Sequence, residues 1–150
     1  MNLSEHFTLA EFTASATAVV HRVPNQPNAA QLAAMKTLSA AVLEPVRAHY
    51  RAPVRVTSGF RTPQLCLLVG SSVDSQHAKG EAVDFEVAGF SNYDVACWIR
   101  ANLPFDQLIL ENYVRGQPNS GWIHCSYRNG RLRHQCLTYT RRAYFPGLLS

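Results

Sequence analysis

The sequence has no stretch of about eighteen consecutive apolar residues, so nothing in it reads as a membrane span. Its first dozen residues carry Glu5 and no continuous apolar run, so they do not read as a secretory signal peptide. Synthesis in a cytoplasm is expected, and any action outside it would need another carrier. Lysine is almost missing: apart from Lys36 and Lys79, all 14 basic residues are arginine. No basic helix, zinc-finger spacing or aromatic–glycine RNA-binding motif occurs, which argues against nucleic acid as a partner. Charge is scarce at 16% against 47% hydrophobic residues, which excludes a disordered chain and a coiled coil. The four cysteines, Cys66, Cys97, Cys125 and Cys136, show no CxxC spacing, so free and buried thiols are expected.

What is present is one domain's worth of chain. A length of 150 residues buries an adequate core without disulfides, and a single domain over residues 1–150 is expected. The net charge of +4 favours an anionic partner, and a bacterial cell wall is one such surface. No protein partner is evident.

The first fifty residues read as helical. A short helix is expected over residues 9–13, a turn around Pro24 and Pro27, and a long helix capped by Asn28. In that helix Leu32, Met35, Leu38, Val42 and Val46 recur at helical spacing, and Pro45 should kink or interrupt it. From Pro53 the period changes. Strands are expected over residues 54–57, 82–87, 108–110 and 122–127, with a short helix over 62–69. A further helix should open at Ser91, with Asp94 three residues on. Asn129-Gly130 reads as a hairpin turn leading into a strand over 131–139, which would let Cys125 and Cys136 face each other across the hairpin. The order of elements implies an α+β fold, a mostly antiparallel sheet with N-terminal helices packed on it.

The chemistry concentrates in Ser75-Gln76-His77-Ala78-Lys79-Gly80-Glu81-Ala82-Val83-Asp84. If Gly80 turns the chain sharply into a strand, His77 and Asp84 can converge on one ion. A third ligand is then needed. In Trp122-Ile123-His124-Cys125-Ser126, strand alternation puts Trp122, His124 and Ser126 on one face, so His124 is the candidate. Two imidazoles and a carboxylate leave one position open for water, as in catalytic zinc sites.

Taken with Ser58-Gly59-Phe60-Arg61, the Ser75-x-His77-x-x-Gly80-x-Ala82-x-Asp84 element and Trp122-Ile123-His124-x-Ser126 resemble the zinc D-Ala-D-Ala carboxypeptidase family. That family includes L-alanyl-D-glutamate endopeptidases and shares a fold with the hedgehog signalling domain. The short single-domain branch, often found in phages, is the nearest match. The resemblance runs from about Phe7 to Tyr127 and includes Phe7-Thr8-Leu9-x-Glu11-Phe12 and Val42-Leu43-Glu44-Pro45-Val46-Arg47. It implies Zn2+ held by His77, Asp84 and His124, with Arg61 meeting a substrate carboxylate or oxyanion. It also implies hydrogen-bonding support from Ser75 and Ser126 behind the ligands. The implied substrate is the stem peptide of peptidoglycan, cut as D-Ala-D-Ala or as L-Ala-D-Glu by a phage or bacterial wall-lytic enzyme.

One departure affects the mechanism. Many relatives carry an acidic residue three positions before the last histidine ligand, and here that position is Gly121. Glu111, closing the strand after Leu110, is the expected replacement as general base, with Glu86 in reserve. The missing acid also sustains an alternative, a zinc-binding but non-catalytic wall-binding or virion structural domain. Cys66 stands where relatives commonly have Asn, which bears on the edge of the substrate groove.

Overall fold

The computed structural model describes residues 1–150. Helix α1 (Leu9–Thr13) starts where Thr8 and Glu11 cap each other's backbone amides, and α2 (Ala16–His21) is opened by Ser15. Helix α3 (Ala29–Leu38) begins with a second reciprocal pair, Asn28 and Gln31. Pro45 does not break the helical run. A π-helical turn, Ser39–Leu43, precedes it and widens the spiral, and α4 (Glu44–Tyr50) continues with Pro45 in its first turn. Inside a continuous run a proline removes one hydrogen bond and crowds the preceding turn, and the wider π turn is where the run absorbs this. Met35, Leu38, Val42 and Val46 are all fully buried, as their spacing predicts.

Strand β1 (Val54–Ser58) is followed by α5 (Pro63–Leu68), a 3-10 turn at Gln76–Lys79, and β2 (Ala82–Val87). Helix α6 (Asn92–Asn102), capped by Ser91, leads to β3 (Gln107–Glu111), β4 (Trp122–Ser126), β5 (Gln135–Thr140) and β6 (Ala143–Pro146). One six-stranded sheet results, in the order β1-β2-β4-β3-β5-β6. Every pairing is antiparallel except β3 with β5, so the mostly antiparallel α+β fold expected from sequence is the one observed.

Alternation divides the sheet into two faces. Val83, Phe85, Val87, Leu108, Leu110, Ile123 and Cys125 form one buried core with Met35, Leu38, Val42, Val46, Val95 and Ile99 of the helices. The alternate residues, among them Asp84, Ile109, Glu111 and His124, point to the side that the helices leave open.

Two expectations fail at the end of the chain. Asn129-Gly130 does not turn a hairpin, because both edges of β4 are already taken by β2 and β3. The chain crosses instead to the free edge of β3. The hairpin that does form joins β5 to β6 at Arg141-Arg142, both with positive φ (52° and 60°), the pattern of a type I′ turn. Cys125 and Cys136 therefore do not face each other: both pair with Leu108, from opposite sides of β3. All four cysteines are free.

The crossing segment is fastened by Asp106, whose side chain is fully buried. It accepts hydrogen bonds from Arg133 N at 2.9 Å, Arg133 Nε at 3.1 Å, Arg133 Nη2 at 2.8 Å and Gln76 Nε2 at 3.0 Å. Hydrogen bonding from Arg133 lowers the Asp106 pKa to about 2. A carboxylate depressed in the folded state stabilises fully above its unfolded value, about pH 4, and loses that contribution as pH falls towards 2. Asp106→Ala should cost about 3 kcal/mol, because it strands the Arg133 donors. Denaturant unfolding at pH 7 checks this, and the gap between wild type and variant should shrink at about pH 3.

Candidate metal centre

His77 sits in the 3-10 turn that Ser75 opens, the Ser75 hydroxyl accepting from the His77 amide at 3.2 Å. The turn ends at Gly80, with φ +74°. A side chain there would meet the Gln31 carbonyl at 2.4 Å, so glycine is what lets the turn lie against α3 and lead into β2. Gln31 Nε2 also donates to the Ala78 carbonyl at 3.0 Å, tying the same turn to the helix.

Asp84 lies on β2 directly opposite His124 on β4. Its Oδ1 is 3.0 Å from His124 Nδ1 and 3.5 Å from His77 Nε2. One ligand atom from each of the three residues lies within 4.8 Å of the others. His77 is 4% exposed and Asp84 9%, too dry for a solvated surface cluster. His77 Nδ1 stands 2.7 Å from the Gly59 carbonyl oxygen, which can only accept. That nitrogen therefore carries the proton, and Nε2 turns a lone pair towards a carboxylate oxygen. Two electron-rich atoms facing each other at 3.5 Å are mutually repulsive without a cation between them. Two imidazole nitrogens and a carboxylate also suit the donor preference of zinc. The residues present fit a zinc ion.

The surroundings reinforce this electrostatic character. Burial pushes the Asp84 carboxyl up and hydrogen bonding from the facing His124 imidazole pulls it down, the net result lying well below the usual carboxylate range. Burial lowers the His77 pKa, so the ring stays neutral in stronger acid than an exposed imidazole would.

A cleft of about 430 Å3 opens over these residues, with Arg61, Glu111, Trp122, Gln76, Arg133 and Tyr144 also on its walls. The backbone amide of Arg61 donates to the His77 carbonyl at 3.2 Å, and its Nε is buried without a hydrogen-bond partner. Cys66 is buried, its thiol 3.7 Å from the Arg61 carbonyl, so it lies beneath the groove and not on its edge. Ser126 shares the His124 face, and its hydroxyl accepts from Gln107 N at 3.0 Å, stitching β4 to β3. Glu86 is paired with Arg55 and borders a different hollow.

A family model described as Peptidase M15 matches residues 5–126. The chain belongs to the peptidase M15 family. No curated protein matches it. Peptidases of this family are zinc-dependent and act on cell-wall peptides, and the α+β architecture is consistent with the family's fold.

Within an M15 chain, the glycine at position 121 has a steric explanation. Its φ is +65°, and a Cβ there would come 2.0 Å from the Glu111 carbonyl oxygen and 2.7 Å from the Asn112 carbonyl carbon. No acidic side chain can stand at 121 while the backbone after β3 runs so close. The carboxylate in the cleft comes from that neighbouring strand: Glu111 is paired with Trp122 across β3 and β4, and Trp122 Nε1 donates to Glu111 Oε2. Burial, followed by the charge of Asp84, raises the Glu111 pKa.

Sequence reasoning missed Gln76, Asp106, Arg133 and Tyr144. Only Asp106, a carboxylate directly ahead of an apolar strand, carried a local signal. Gly121→Glu should lower the thermal midpoint and reduce peptidase activity, whereas an unchanged midpoint would contradict the steric account of this position.

Proposed function

We propose that residues 1–150 form one zinc peptidase domain that hydrolyses an amide bond in the peptidoglycan stem peptide. The observation that carries the reading is the convergence of His77, Asp84 and His124 beneath a cleft that also holds Glu111. His77 Nε2, Asp84 Oδ1 and His124 Nδ1 are the atoms available to hold the ion. When bound, zinc supplies Lewis acidity, polarising the scissile carbonyl and making water a stronger nucleophile.

The remaining steps belong to the chain. Glu111 acts as general base. Trp122 fixes Oε2, which leaves Oε1 to take the proton as water adds to the carbonyl and to return it to the departing amine. Its raised pKa suits both halves of that transfer, since a carboxylate closer to neutrality accepts and releases a proton with less driving force. Arg61 binds a carboxylate of the peptide or the developing oxyanion, and its unpartnered buried Nε is a donor in need of an acceptor. Gly59 and Ser75 keep the His77 ring and turn in place, holding the tautomer that exposes Nε2.

Lysis of a wall, by a phage or a bacterium, is the biological setting that fits this chemistry, with D-Ala-D-Ala or L-Ala-D-Glu as the bond cut. No helix is long and apolar enough to cross a membrane. The non-catalytic alternative drew its support from the missing acid at Gly121, and Glu111 in the same cleft removes that support.

Glu111→Gln tests the assignment. Zinc content should stay at one ion per chain while kcat on a stem peptide falls by about 100-fold or more. Unchanged kcat would remove Glu111 from the mechanism. His77→Ala should instead lose zinc and activity together, as read by metal analysis after dialysis.

A further inference from the structure

All ten acidic residues lie within residues 1–111, and residues 112–150 carry six arginines and no acid. Those six side chains belong to exposed residues arranged in two groups. Arg128, Arg131 and Arg133 lie on the crossing segment that enters β5. Arg141 and Arg142 form the β5–β6 turn, and Arg115 follows the end of β3. Because β5 runs parallel to β3, the groups fall at opposite ends of one strip of sheet.

Between them the strip carries an aromatic row. Glu111 pairs with Tyr139 across β3 and β5, and Tyr139 pairs with Tyr144 across β5 and β6. Cross-strand partners share a face, so both tyrosines lie on the open face with Glu111. Their ring centroids are 4.7 Å apart and the planes are tilted by 49°. Tyr144 is 59% exposed and forms part of the cleft wall. At about 4.8 Å per strand, the row leads some 10 Å outward from the Glu111 strand.

A cross-strand aromatic pair stabilises a hairpin. That role does not require so much exposed ring or a position on the cleft wall, and while Arg128 and Arg133 at one flank pair with Asp106, Arg141 and Arg142 at the other have no acidic partner. Flat aromatic faces offer stacking to the apolar face of a sugar ring or to a peptide plane, and guanidinium forks pair with carboxylates. A ligand presenting sugar rings and carboxylates together is a glycan strand bearing acidic peptides. The strip lies beyond the span matched by the family model, which ends at residue 126.

We infer that the β5–β6 strip is a subsite for the glycan-linked part of the substrate, so that peptide still attached to sugar is selected over free peptide. This rests on the peptidase reading above. Tyr139 and Tyr144 supply the stacking surface, and Arg141 and Arg142 supply counter-charge to carboxylates on the strand.

The test compares kcat/KM for a free stem peptide with that for the same peptide carrying its disaccharide, and measures binding of peptide-free glycan strands separately. The wild type should favour the sugar-bearing substrate by about tenfold, a contact energy typical of an interfacial tyrosine. Tyr144→Ala should bring the ratio to within about twofold of unity and weaken glycan binding, whereas Tyr144→Phe, which keeps the ring, should retain both effects. Arg141→Ser with Arg142→Ser should weaken binding of the peptide-bearing polymer and reduce its salt sensitivity. Equal kcat/KM on the two substrates, or a preference that survives in a folded Tyr144→Ala variant, overturns the inference. If neither substrate is cleaved, the peptidase reading fails by itself. Glycan binding that depends on Tyr144 then still supports the subsite, and its absence in the wild type overturns it.

Discussion

Asp84 sets the constraint around which the rest of the molecule is arranged. A carboxylate almost withdrawn from solvent on an interior strand is expensive to bury, and it persists only if opposite charge or donors surround it. His124 reaches it from the next strand in direct register, and His77 reaches it from a turn pinned to α3 and to the Gly59 carbonyl. The protonated Nδ1 of His77 faces away from the carboxylate, so a lone pair faces it. A divalent cation resolves that juxtaposition, and it explains why the helices, capped at Asn28 and closed by Gly80, converge on this corner of the sheet.

In the proposed mechanism the general base comes from the end of β3 and not from position 121. The backbone at Gly121 approaches β3 too closely for any side chain, and the adjacent strand end presents Glu111 to the same cleft. Trp122, one residue past that glycine, grips Glu111 by its indole nitrogen. A glutamate half-buried beside Asp84 has a raised pKa for physical reasons that need no reference to position 121.

Much of this was legible from residue patterns. The α3 stripe, the strand holding Asp84 and the alternation placing His124 on the open face follow from local periodicity, which a single sequence displays. The 3-10 turn around His77 leaves no such mark, since four residues offer no period. The last strands were misplaced because Asn129-Gly130 is a strong local turn signal, while β4 had no free edge to accept a hairpin partner. Arg141-Arg142 gives no warning of a type I′ turn, its positive φ values being imposed by the β5–β6 pairing. The Asp106–Arg133 contact joins residues far apart in the chain, and nothing in the spacing foretold it.

Digestion of purified peptidoglycan by the zinc-loaded protein, with and without a chelator, tests the account most directly. Mass spectrometry of the products should show cleavage of one stem-peptide amide bond, lost on chelation and restored by added zinc. A protein that holds one zinc ion at His77, Asp84 and His124 yet releases no product would contradict it.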